Sequence, residues 1–389
     1  MIHNVSSMKK FSSILAVAAI LAGCEGQRDP APERVIINND SFFDRINYNV
    51  DSTVTLGASP GGRVDAEFSL KLRAEVLPPV HEGVTLRASH IYVDDGYAYV
   101  VYNLEGEPYL GGVEVFNIKD TRKPFIESQA IFINTDVSSV YYDEGVIYLA
   151  EATGDAGFAS PAVLESIRID NGRLTNDSRR IAMTSYATTD VCVMQEKIAV
   201  TSGSDGGLFL LNKSDLQTLS FVPLDDARAV AFSGTNALVT LQGTPARVSV
   251  YDFAGSLQRS VTLDGATIPA SKSNLAMKGH SIFIAAGDGG TYSVNKNTGV
   301  VNFNIPAPEG DGLDPATAVC NSVAVFGDML YMANGEAGLY VAKIHENDTF
   351  SDVTPITFSA HSSANHVAVK NRIIFIATGT GGLKIVEIE

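Results

Sequence analysis

The chain has 389 residues, 45% of them hydrophobic and 19% charged, with 34 glycines and no tryptophan. That is enough apolar material for a large core, which excludes a disordered or fibrous chain. A net charge of −16 disfavours nucleic acid and anionic membrane surfaces as partners, and suits cations or a basic protein surface.

In chain order, Lys9 and Lys10 precede the apolar run FSSILAVAAILA. Together they read as a secretion signal, and the run is too short to span a bilayer. The stretch Leu21-Ala-Gly-Cys24 follows. It resembles the lipobox of bacterial lipoproteins. The resemblance implies that residues 1–23 are removed and that Cys24 carries acyl chains, the only membrane attachment. Glu25 is similar to the sorting pattern that sends such proteins to the outer membrane, so the expected location is the cell envelope. Residues 24–62, rich in Asn, Asp, Ser, Pro and Gly, read as a tether. Within them VIINNDSFFDRINYNVDSTVTL is expected either to add a short strand or to pack beneath the following domain.

The rest of the chain repeats. HIYVDDGYAYVVYN begins at His90, SVYYDEGVIYLAEATGDAG at Ser139 and DVCVMQEKIAVTSGSDGGLFLL at Asp190. AVAFSGTNALVTLQGTPARVSVY begins at Ala229, NLAMKGHSIFIAAGDGG at Asn274, SVAVFGDMLYMANGEAG at Ser322 and HVAVKNRIIFIATGTGG at His366. Seven copies spaced by about 40–50 residues point to a propeller rather than a helical solenoid. Each copy is a short strand, a Gly or Asp-Gly turn, an apolar run without alternation, a Gly-rich loop and a third strand. The unalternating run is what a strand covered on both faces requires. A more polar fourth segment completes the unit.

The last copy has only three strands and stops at GLKIVEIE, while RVDAEFSLKLRAEVLPP, Arg63 to Pro79, precedes the first copy with no mate. The expected fold is therefore all-β: one seven-bladed β-propeller over residues 63–389, its last blade closed by strands from both ends of the chain. Cys192 and Cys320 fall in inner strands of different copies, so buried thiols rather than a disulfide are expected.

GGVEVFNIKDTRKP, from Gly111 to Pro124, is similar to the repeat of bacterial surface propellers known for an LVIVD motif. GGLFLLN and GGLKIVEI match more loosely. The resemblance implies a propeller in the envelope and supplies no catalytic residue.

Two places could carry function. The residues just before the inner strands should ring the channel mouth: His90, Ser139, Asp190, Arg228 or Ala229, Asn274, Ser322 and His366. Such a ring could hold an anion or a divalent cation, and only His90 and His366 belong to blades that close the ring together. The loops between second and third strands carry Glu105, Glu107, Glu151, Asp155, Asp205, Asp288 and Glu336. The first two are the longest and add Tyr109 and Phe158, a candidate partner-binding face. The glycine-rich loops lack the spacing, helix and lysine of a phosphate cradle, and read as turns. HExxH and CxxC motifs are absent from the sequence, and Ser89-His90 and the 360–366 segment offer only loose Ser/His pairs. With no catalytic set in the sequence, the reading leans away from an enzyme, and no cofactor is expected. The leading expectation is a non-enzymatic scaffold that binds another envelope protein through its loop face. The alternative is an enzyme or small-ligand binder at the channel mouth.

Overall fold

The computed structural model describes residues 33–38, 42–48, 52–56 and 69–389, apart from 95, 105, 107, 269–272, 347–348 and 359–362. The signal segment, Cys24, Glu105 and Glu107 lie outside the described residues. Within them there is no α-helix, only strands and one 3-10 turn at Phe43–Arg45.

Seven antiparallel sheets form the blades, spanning 87–132, 135–182, 188–223, 227–262, 275–305, 322–357 and 366–388. Each inner strand packs on the next, and the seventh, His366–Lys370, packs on the first, Arg87–Asp94. The second strands show why the apolar runs lack alternation: Ser281–Ala285 and Ile373–Ala377 are buried at every position. The hydrophobic core is correspondingly split into seven clusters, one in each seam between neighbouring blades. No blade can bury both faces alone, so the ring is the smallest stable unit.

Closure follows the sequence reading. Leu70–Val76 pairs antiparallel with Leu383–Ile388, from Leu383 opposite Val76 to Ile388 opposite Leu70. The seam between blades 7 and 1 is then built like the others, from Ala74, Val76, Phe375 and Ile385 against Ala98, Val100 and Phe116. The preceding segment adds strands at outer edges rather than lying underneath. Arg34–Ile37 extends blade 1, Ile46–Asn47 and Ser52–Thr53 flank the closing strand of blade 7, and Thr55–Leu56 extends blade 6. Both remaining cysteines are buried free thiols, and burial pushes Cys320 up to about 12.

Candidate binding face and channel mouth

The inner strands of blades 1 to 4 each carry a bulge at the same place, next to Ser89, Ser138, Thr189 and Arg228. A bulge places two successive residues against one and re-aims their side chains. His90, Ser138, Ser139, Thr189, Asp190, Arg228, Ser273, Asn274, Asn321 and His366 thereby line one cavity of about 140 Å³ at the axis. Arg228, not Ala229, reaches it, because Arg228 is the bulged residue; Ala229 is buried in the seam with blade 5.

The mouth's side chains are largely committed to joining blades. Val140 N–H donates to His90 Nδ1 (3.4 Å), and Ser139 Oγ donates to Asp190 Oδ1 (2.7 Å). Asp190 Oδ2 accepts from Val230 N (3.0 Å), and Ser322 Oγ accepts from Val367 N (3.2 Å). Asn274 accepts from Val323 N (2.7 Å) and donates to Val323 O (3.1 Å). Each of these bonds crosses from one blade to the next. His90 and His366 meet across the closing seam with ring centroids 4.0 Å apart. Among the described residues no group of three His, Cys, Asp or Glu side chains is placed to hold a metal ion.

The glycine-rich loops are turns that also clasp the next blade. Gly287, Gly335 and Gly379 pair through backbone bridges with Cys320, Ala364 and Ala88. Gly382 shows why glycine is needed: its φ is +73°, and a Cβ there would sit 1.9 Å from Val76 O.

The outer-to-inner connections and the second-to-third loops share one face, since strand direction alternates through every blade. On it the loop carrying Tyr109 leans on the next: a side chain at Gly154 would have its Cβ 3.2 Å from the half-buried Tyr109 ring. Of the expected acids that lie among the described residues, Asp205 and Glu336 are exposed, and Glu151, Asp155 and Asp288 are wholly or partly buried. Glu151 is fully buried on the strand Val146–Thr153, which runs two residues past the point where a loop was expected. The strand can continue because Arg180, on the outer strand Arg173–Ala182, is buried beside it, with Nε 3.8 Å from Glu151 and 3.9 Å from Glu165. Asp155 accepts from Arg180 Nη1 (3.2 Å), and the Phe158 ring lies 4.6 Å from the Arg180 guanidinium carbon. Asp288 caps the backbone N–H groups of Thr267 and Ile268, Glu336 accepts from the Thr317 hydroxyl, and Asp205 is exposed. Among the described residues this face exposes apolar side chains over blades 7, 1 and 2, Leu77 at 58%, Val80 at 60%, Val84 and Ile133, with Glu82 exposed between the two valines. Val80 and Val84 sit on a two-stranded hairpin, Val80–His81 with Val84–Thr85, fixed at its base by Leu86 N–H on Pro79 O.

The sequence reading missed a set of buried charges. Opposite the fourth residue of the second strand, the third strand carries Glu114 in blade 1, Glu165 in blade 2 and Lys384 in blade 7. The other blades hold Phe209, Ser249, Tyr292 and Tyr340 at that position. Each charge is buried, and each is met by an opposite charge from the N-terminal region: Arg45, Arg34 and Glu75. Arg45 is bidentate on Glu114 (2.6 and 2.9 Å) and also reaches Gln129. Three ionic residues in line at a position that is otherwise aromatic or small was the available signal.

No family model matches this chain, and no curated protein does. Among solved structures, the computationally designed protein Ika8 aligns over 87% of this chain and 98% of its own, at 15% identity and a TM-score of 0.52. BamB from Moraxella catarrhalis aligns over 90% of this chain and 97% of its own, at 9% identity and a TM-score of 0.51. At these identities the likeness is one of fold.

Proposed function

We propose that this protein is a non-enzymatic, lipid-anchored scaffold of the cell envelope that binds another envelope protein through the loop face of blades 7, 1 and 2. The observation that carries the reading is the apolar group Leu77, Val80, Val84 and Ile133, exposed on connections of a ring that is otherwise well packed. Exposed apolar residues held on a rigid frame, with Tyr109 and Phe158 half-buried nearby, have the composition of a protein-contact surface. The LAGC stretch at 21–24 and the LVIVD-like segment at 111–124 support the anchor and the location. Arg34, the first fastening point, lies ten residues after Cys24. Fully extended, that length holds the edge of blade 1 within about 35 Å of the bilayer.

The channel-mouth alternative has less behind it. Its polar groups are bonded between blades, and about 140 Å³ suits a few waters. The test is binding to envelope proteins with Val80→Asp and Val84→Asp together. These hairpin side chains are exposed, so the ring folds, and the reading requires that binding be lost. Release of the protein from the membrane fraction by Cys24→Ser tests the anchor separately.

A further inference from the structure

The 154–160 loop stands on Arg180, and Arg180 stands between acids that it cannot all serve. Glu151 and Glu165 are both fully buried, on adjacent strands of blade 2 and on the side facing blade 1. Among the described residues the charged groups facing them are three. Arg180 comes from the outer strand, Asp155 from the loop, and Arg34 from the strand added to blade 1, with its Nη1 2.5 Å from Glu165. Blade 1 itself contributes the uncharged ring of Phe132, 5.9 Å from the Arg34 guanidinium carbon. With all three carboxyls ionised the cluster has one negative charge too many for its two guanidinium groups. Burying that charge is costly, and one proton removes it.

The geometry shows where the proton sits. Arg180 donates to Asp155 but stays 3.8 Å from Glu151, and neither Glu151 oxygen accepts a hydrogen bond from another described residue, while the Glu165 carboxyl lies within hydrogen-bond reach of a protonated Glu151. A carboxylate left so beside a guanidinium would be poorly compensated, whereas a neutral carboxyl costs far less there. Burial, then the Glu165 carboxylate, push Glu151 well above the usual carboxylate range, against the pull of Arg180 and Arg34.

We propose that Glu151 carries a proton in the folded protein at neutral pH, and that this proton decides which acid Arg180 serves. While Glu151 is neutral, Arg180 holds Asp155 and stacks on Phe158, and the loop is pinned to the blade. When the proton leaves to solvent, Glu151 competes for the guanidinium, and Arg180 turns inward and lets the loop go. The device thus controls part of the face assigned above to a partner, and its relevance to binding rests on that reading.

The chain lacks tryptophan, so Phe158→Trp places a single fluorescent reporter on the Arg180 guanidinium. On raising the pH of the isolated protein from neutral to alkaline, the emission maximum should shift to the red in one single-proton step. In the same background Glu151→Gln should remove the step, because the amide cannot ionise. A step that survives in the Gln variant overturns the proposal. So does the absence of any step in either protein up to the pH at which far-UV circular dichroism collapses. If Phe158→Trp fails to fold, hydrogen exchange of residues 154–160, compared between wild type and Glu151→Gln at matched pH, gives the same answer. No partner is needed, so a missing step refutes the device while leaving the binding reading intact, and lost partner binding with the step present does the reverse.

Discussion

Arg45→Met should leave the Glu114 carboxylate buried with most of its compensation gone. Glu114 has no exposed surface and accepts from both terminal nitrogens of Arg45 and from the Tyr102 hydroxyl (2.7 Å), so the substitution removes two of these three donors. Stripping one member of a buried ion pair costs about 3–5 kcal/mol. The Arg45 side chain is 20% exposed, which places the expected loss at the lower end, about 3 kcal/mol. With an unfolding entropy of ~2.1 cal/mol/K per residue over a ring of roughly 300 residues, that is about 5 °C in Tm. Adding Glu114→Gln removes the stranded charge and should restore about half of the loss. Thermal unfolding followed by circular dichroism, on the two single variants and the double, closes the cycle. An Arg45→Met protein within a degree of wild type, or a double variant no more stable than the single, would refute the view that the N-terminal region is fastened by buried charge.

Other expectations follow from the same geometry. Because the folded protein holds Glu151 protonated where the unfolded chain does not, its contribution is fully present below the ordinary glutamate range and is lost as pH rises through the elevated value. Urea midpoints of Glu151→Gln should therefore fall less steeply with rising pH than those of wild type. Gly382→Ala should destabilise by at least ~2 kcal/mol, since positive φ alone costs about 1–2 and the added Cβ also meets Val76 O. Gly279→Ala, also at positive φ but facing open space, should cost only about 1–2 kcal/mol by the same measurement. Asn274→Leu leaves the backbone N–H and C=O of Val323 without their partners, a loss of about 2–3 kcal/mol in urea unfolding. Deleting residues 63–77 takes away the closing strand and the counter-charge Glu75; circular dichroism should show no cooperative transition.

The ring was legible because the repeat carries its own phase. Once the unalternating runs are aligned, the equivalent residues His90, Asp190, Asn274 and His366 line the axial cavity, although only Asn274 precedes its strand: Arg87–Asp94 and Thr188–Met194 begin earlier, and His366 opens His366–Lys370. The missing fourth strand of the last copy told where the first strand had to go. Glu151 was misread for a local reason. EATGDAG looks like a loop, and nothing in those seven letters reveals that Arg180, 29 positions later, lets a glutamate stay inside the strand. The bulges were equally hidden, since they depend on how two strands pair rather than on either strand's composition. The N-terminal segment was legible as extended but not in place. Its short strands take their positions from Arg34 and Arg45 meeting acids some 70 to 130 residues away.

The most direct test of the central claim is affinity capture from detergent-solubilised envelope under matched conditions with three baits. One is the wild-type protein, the second carries Val80→Asp and Val84→Asp on the loop face, and the third carries Leu219→Asp and Phe221→Asp on the exposed outer strand of blade 3. A scaffold using the face of blades 7, 1 and 2 predicts a partner that is held by the wild type and the blade 3 variant and lost from the hairpin variant. A partner held equally by all three baits, or no partner with any of them, would contradict it.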